Sequence, residues 1–207
     1  MSFDRVAPFY RFLEISIFGE KLQKARLAFL RTIDPPRRVL IVGEGDGRFL
    51  REFRRVFPSC EVDCVEASAR MIALAEARTD RDDVCFLHAD ILEWVPPAHR
   101  YDLVVTHFFL DCFDERRLAH VIESIASATE PHARWLIADF AVPRGKFAGF
   151  LGRALIALMY VFFRATTGIK TTRLVDPAPF LSAHGFRCCE ERASSGGLIR
   201  SQLWRRG

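Results

Sequence analysis

Three glycines at alternate positions, Gly43-Glu44-Gly45-Asp46-Gly47, constrain this chain more than any other feature. They follow the apolar run Val39-Leu40-Ile41-Val42 and precede an amphipathic stretch from Arg48 to Phe57. That order is strand, glycine turn, helix, the opening of a nucleotide-binding α/β unit. A dinucleotide site reads G-x-G-x-x-G. Here the third glycine comes one residue early, and Arg48 stands where that motif needs glycine. Glu44 and Asp46 put two carboxylates inside the turn, where they repel a pyrophosphate and suit a ligand that carries positive charge.

The rest of the first half repeats this organisation. Strand-like Val62 to Val65 ends at Glu66, where an acid can accept both hydroxyls of a ribose. Ser68 is a predicted N-cap for a helix whose Met71, Leu74 and Ala75 share one face. Val84 to Leu87 leads into His88-Ala89-Asp90-Ile91, with Asp90 placed to bond an adenine amino group. Tyr101 to Val105 ends at Thr106-His107. Strands are predicted at 39–43, 61–66, 84–88, 101–106 and 135–139, with helices at 47–57, 68–78 and 114–128. Asp114 caps the last of these, and Pro131 marks its end. Such alternation gives a parallel sheet covered on both faces, with ligands at the carboxyl edge of its strands.

The C-terminal part differs. Pro177 to His184 is a predicted helix stopped by Gly185. Phe186 to Glu191 and Leu198 to Trp204 are two further strands, and their short Gly196-Gly197 connection makes them antiparallel. The expected fold is therefore α/β: a Rossmann-like, doubly wound, seven-stranded sheet, mostly parallel with a C-terminal antiparallel hairpin strand. A single domain spans 1–207, divided into a helical cap at 1–36, a cofactor-binding core at 37–140, a hydrophobic helical insertion at 145–170 and the C-terminal helix and hairpin at 176–207.

Residues 37–140 resemble a class I S-adenosylmethionine-dependent methyltransferase in the glycine loop, Glu66, Asp90 and the Tyr101-Asp102-Leu103-Val104 strand. The resemblance implies S-adenosylmethionine as cofactor, whose sulfonium and amino group fit the acidic turn. Gly43, Glu44, Gly45, Gly47, Glu66, Ala67, Met71, Asp90, Ile91, Thr106 and His107 become its candidate contacts. Phe3-Asp4-Arg5-Val6-Ala7-Pro8-Phe9-Tyr10 and Gly196-Gly197-Leu198 are similar, over short stretches, to quinone-biosynthesis C-methyltransferases. That likeness adds Tyr10 to the cofactor site and implies a lipophilic or aromatic small-molecule acceptor. Arg11 departs from that family's aspartate, and Pro131 to Asp139 lacks its lysine- and glycine-containing strand entry.

Methyl transfer needs alignment and exclusion of water, and a base only where the acceptor must lose a proton. His107 and Asp111 are the candidate catalytic residues, with Asp139 a further polar group at the same edge. Thr106-His107-Phe108-Phe109 lacks the Asn/Asp-Pro-Pro-Tyr/Phe pattern of enzymes acting on exocyclic base nitrogens. A net charge of +4 and the lack of basic clusters interleaved with aromatics also argue against a nucleic-acid partner. Two alternatives stand beside the methyltransferase: a non-catalytic binding or scaffold domain, and a nucleotide-cofactor oxidoreductase.

Half of the residues are hydrophobic, enough for a sizeable core. Phe147 to Phe163 follows helical spacing with arginines at 153 and 164. It is read as a core helix, an active-site lid or an interfacial patch making transient membrane contact. No apolar run is long enough to span a bilayer and no signal peptide is evident, so the expected location is cytoplasmic. The six cysteines form no C-x-x-C pair, and Cys60, Cys64 and Cys85 are expected as reduced residues of buried strands, with no metal site. The sequence leaves the oligomeric state open.

Overall fold

The computed structural model describes residues 20–79, 84–143 and 174–207. The elements are α1 (Glu20–Arg26), β1 (Arg38–Val42), α2 (Arg48–Val56), β2 (Glu61–Glu66), α3 (Ala69–Glu76), β3 (Val84–His88), β4 (Tyr101–His107), α4 (Glu115–Ser127), β5 (Thr129–Phe140), α5 (Ala178–Ala183), β6 (Phe186–Ser194) and β7 (Ile199–Arg206). Short 3-10 turns occur at Leu110–Cys112 and Ser195–Gly197.

The seven strands form one sheet in the order β3-β2-β1-β4-β5-β7-β6. Neighbours from β3 to β5 run parallel, and β7 runs against both β5 and β6. Inserting a reversed β7 departs from the 3-2-1-4-5-6 order of dinucleotide-binding sheets. β1 is buried at four of its five residues, as a central parallel strand must be. On one face Leu40, Val104, Trp135 and Ile137 pack against Leu118, Val121, Ile122 and Ile125 of α4. On the other, Val39, Ile41, Leu103 and Val105 meet Phe49, Leu50 and Phe53 of α2. Helices thus cover both faces as the alternating pattern predicts.

Both predicted side-chain caps form. Ser68 Oγ accepts from the Met71 amide at 3.2 Å, and Asp114 Oδ1 accepts from the Arg117 amide at 3.0 Å. Three expectations need correction. The described part of the first helix stops at Arg26, after which i→i−3 bonds such as Leu30 N–H to Leu27 O at 3.2 Å turn the chain. This turn lets Phe29, Leu30 and Ile33 enter the α2 face of the core. Pro131 lies inside β5 rather than beyond a helix end. The register shift between Tyr101/Thr129 and Leu103/Arg134 accommodates it, since a bulge does not require its missing N–H. Cys60 and Cys64 are buried thiols, whereas Cys85 is exposed because β3 is an edge strand.

Candidate active site

The glycine turn is shaped by what crosses it. Gly47 sits at φ 81°, and a Cβ built there would stand 2.7 Å from Ala75 Cα, so the glycine is what lets α3 pack on the turn. Gly43 is covered by the ring of Phe109, which occupies the place a Cβ would need. Its amide is tied to Val65 O at 2.9 Å, across to the end of β2.

The acids of the turn face the protein. Asp46 Oδ2 is held by Arg48 Nε and Arg78 Nη1, both at 3.1 Å. Its charge is thereby matched within the chain, which corrects the view of it as a group open to a cationic ligand. Glu44 Oε1 accepts from the Leu50 amide at 2.9 Å, in the first turn of α2. Burial raises its pKa from 4.5 to about 7, against the pull of the Leu50 amide and Arg26.

Glu66 links turn and strand. Its Oε2 accepts from the Gly45 amide at 3.1 Å and its Oε1 from the Ser68 amide at 3.0 Å. A carboxylate offers about four acceptor positions, so each Glu66 oxygen keeps one for another donor. Two such positions side by side fit a cis-diol. Burial raises the Glu66 pKa, and the Ser68 and Gly45 amides oppose that shift. Asp90 is exposed at the end of β3, its Oδ1 accepting from the Leu92 amide at 3.0 Å. Ile91 is buried and Met71 is half-buried on α3. Ala67 is exposed, its carbonyl beside His88 Nε2 at 3.1 Å.

The far side of the edge is arranged differently. Thr106 is fully buried, and its Oγ1 accepts from Trp135 Nε1 at 2.9 Å. His107 follows on the opposite face, its ring 4.6 Å from that of Phe49 in a T-shaped contact. No partner for its Nδ1 occurs among the described residues. Burial, and secondarily Arg26, hold the imidazole well below its usual pKa and so neutral.

Asp139 lies on the sheet face of Trp135 and Ile137, within reach of the charge of Asp111. Phe108, at φ 54°, donates from its amide to Ala138 O at 2.6 Å, and Phe109 donates to Asp139 Oδ1 at 3.1 Å. Cys112 Sγ lies 3.6 Å from Asp111 Oδ1. Asp139 Oδ2 has no partner among the described residues. Burial, then the charge of Asp111, push Asp139 well above its usual pKa. Burial also lifts Asp111 from 3.8 to about 6, partly offset by the Cys112 thiol and the Phe140 amide. The cover of Gly43 by Phe109 is a feature that sequence reading missed. Its one local signal is the Phe108-Phe109 pair directly after a strand. Tyr10 and 147–163 lie outside the described residues.

Residues 39–132 match the family model of a methyltransferase domain. The curated malonyl-[acyl-carrier protein] O-methyltransferase of Halalkalibacterium halodurans is 29% identical over 130 residues, 61% of this chain and 45% of that protein. The chain thus spans about half the length of the curated relative it matches. Among solved structures, mitomycin 7-O-methyltransferase MmcR superposes with a TM-score of 0.73 at 19% identity, over 100% of this chain and 61% of that one. N-methyltransferase NodS from Bradyrhizobium japonicum, in complex with S-adenosylhomocysteine, gives 0.64 at 16%, over 94% and 90%. Residues 39–132 thus match a methyltransferase domain, and the seven-stranded sheet that holds them has the fold of methyltransferases of known structure.

Proposed function

We propose that this protein transfers a methyl group from S-adenosylmethionine to a small, lipophilic or aromatic acceptor. The observation that carries the reading is Glu66, fixed by the Gly45 and Ser68 amides with one acceptor position left on each oxygen. Those positions would take the ribose hydroxyls. Asp90 and the buried Ile91 beside it would receive the adenine, and the open space above Gly45 leaves room for the ligand. Bound there, S-adenosylmethionine supplies a methyl group already activated on its sulfonium. The remaining work falls to alignment and water exclusion by this chain. Phe109, packed on Gly43 and against Phe113 at 5.1 Å, would form an apolar wall between the two halves of the site. His107, neutral and buried against Phe49, would line the site on the α2 side of the sheet.

Calorimetric titration with S-adenosylmethionine and S-adenosylhomocysteine, with NAD as control, tests the cofactor. Micromolar binding of both adenosyl ligands and none of NAD is expected, followed by turnover within a panel of lipophilic phenols, amines and quinone precursors. Binding of NAD in preference to them would overturn the reading.

A further inference from the structure

The acids of the glycine turn are engaged within the chain: Asp46 with Arg48 and Arg78, Glu44 Oε1 with the Leu50 amide. What the turn presents beside them is an aromatic ring. Phe109 lies on Gly43 in the space a Cβ would need, and it is only half-buried. Its placement is enforced. Phe108 adopts φ 54°, a left-handed backbone that a bulky side chain rarely takes. The amides of Phe108 and Phe109 donate to Ala138 O at 2.6 Å and Asp139 Oδ1 at 3.1 Å, so β5 holds the turn that carries the ring. Phe113 supports that ring at 5.1 Å, the two planes at 70°. Backbone strain of this kind persists only where the surroundings over-determine it, and it gathers at ligand sites. Phe108 already has the Arg26 guanidinium 5.2 Å from its ring centre. Among the described residues no cation lies over Phe109.

We propose that Phe109 receives the sulfonium of S-adenosylmethionine on its ring and so distinguishes the methyl donor from the spent cofactor. The assignment rests on the methyl-transfer reading and adds to it a determinant of cofactor charge. Strand order carries it. With the ribose hydroxyls on Glu66 of β2 and the adenine toward Asp90 beyond β3, the methionine side of the ligand extends the other way, across β1 to β4. Phe109 stands at that crossing, carried by the end of β4 and resting on the end of β1. The face of an aromatic ring is electron-rich and attracts a cation, most strongly where water is excluded. A sulfonium has no N–H to donate, so a carboxylate offers it no hydrogen bond, whereas a ring meets both its charge and its apolar carbons. S-adenosylhomocysteine has a neutral thioether in the same place and forms no cation–π contact. An aliphatic side chain in place of Phe109 would keep the apolar wall and lose the discrimination.

The test is calorimetric titration of the full chain with S-adenosylmethionine and with S-adenosylhomocysteine, for the unsubstituted protein, Phe109→Leu, Phe109→Met and Phe109→Tyr. The quantity read is the ratio of the two affinities. Phe109→Leu should shift it against S-adenosylmethionine by about three- to thirtyfold, almost entirely through weaker binding of that ligand. Retained binding of S-adenosylhomocysteine also shows that the variant is folded. Phe109→Met, unbranched and without a ring, carries the same expectation and serves where the leucine variant does not fold. Phe109→Tyr keeps a ring and should hold the ratio within about twofold of the unsubstituted chain. The proposal is overturned if a folded leucine or methionine variant keeps the ratio, if it loses both ligands in equal proportion, or if Phe109→Tyr shifts the ratio as far as Phe109→Leu does. Failure of the unsubstituted chain to bind either adenosyl ligand would sink the methyl-transfer reading itself, an outcome separate from these.

Discussion

The two halves of the sheet edge treat their polar groups in opposite ways. Around the glycine turn the acids are anchored: Glu66 by two amides, Asp46 by two arginines, Glu44 and Asp90 by one amide each. Beyond β4, His107 Nδ1 and Asp139 Oδ2 are buried with no partner among the described residues. Anchored groups are preorganised, so a ligand meets them without rearrangement. Unpartnered ones raise the free energy of the folded chain until a ligand satisfies them. On the proposed function, the first half would meet a ligand that is always the same, and the second would hold its unmet groups for an acceptor.

This contrast can be broken at its strongest point. Gly47→Val places a side chain against the α3 backbone at a positive φ, and should destabilise the fold by about 3 kcal/mol or more in urea unfolding. A loss below about 1 kcal/mol would mean the turn is not held by α3. Glu66→Ala comes next. It should weaken S-adenosylhomocysteine binding by about 2 kcal/mol, roughly thirtyfold, because it removes both the acceptor positions and the amide anchor. Unchanged affinity in a folded variant would remove Glu66 from the site.

A third measurement sharpens the comparison through pH. Burial raises the Glu44 pKa from 4.5 to about 7, so the unfolded chain releases this proton before the folded one does. The stability this group contributes is fully present below pH 4.5 and is lost as pH rises to about 7. Glu44→Gln should abolish that decline between pH 4.5 and about 7. Asp139→Asn should act with the same sign, because burial and the charge of Asp111 raise that carboxyl above its ordinary value. A pH response that Asp139→Asn leaves unchanged would mean that this unpartnered carboxyl does not strain the folded chain. The smallest effect is expected of Asp90→Ala. Loss of the bond to the Leu92 amide from an exposed aspartate should lower stability by about 0.5 kcal/mol and adenosyl affinity only a few-fold.

Much of the first half was legible in the chain because its logic is local. Strand, glycine turn and helix lie within about two dozen residues, and Glu66 closes the next strand. The caps at Ser68 and Asp114 rest on contacts three residues apart. The second half was harder to read. Thr106 and His107 are adjacent, yet one side chain turns to Trp135 and the other to Phe49. Alternation predicts that they diverge, but not which helix waits on each face. Pro131 misled for a similar reason, as nothing near it reveals the register shift that lets it sit inside β5.

By itself, then, the sequence determined the α/β alternation, the seven strands, the reversed hairpin at the end and the position of the glycine turn. Each follows from periodicity and turn chemistry within short windows. Tertiary structure alone decided that Asp46 is neutralised by Arg78, that Phe109 covers Gly43 and that the charge of Asp111 acts on Asp139. Those are meetings between residues far apart in the chain. Burial then sets their charge, because a carboxyl group responds to the dielectric and the neighbours that folding provides, not to the residues beside it in sequence.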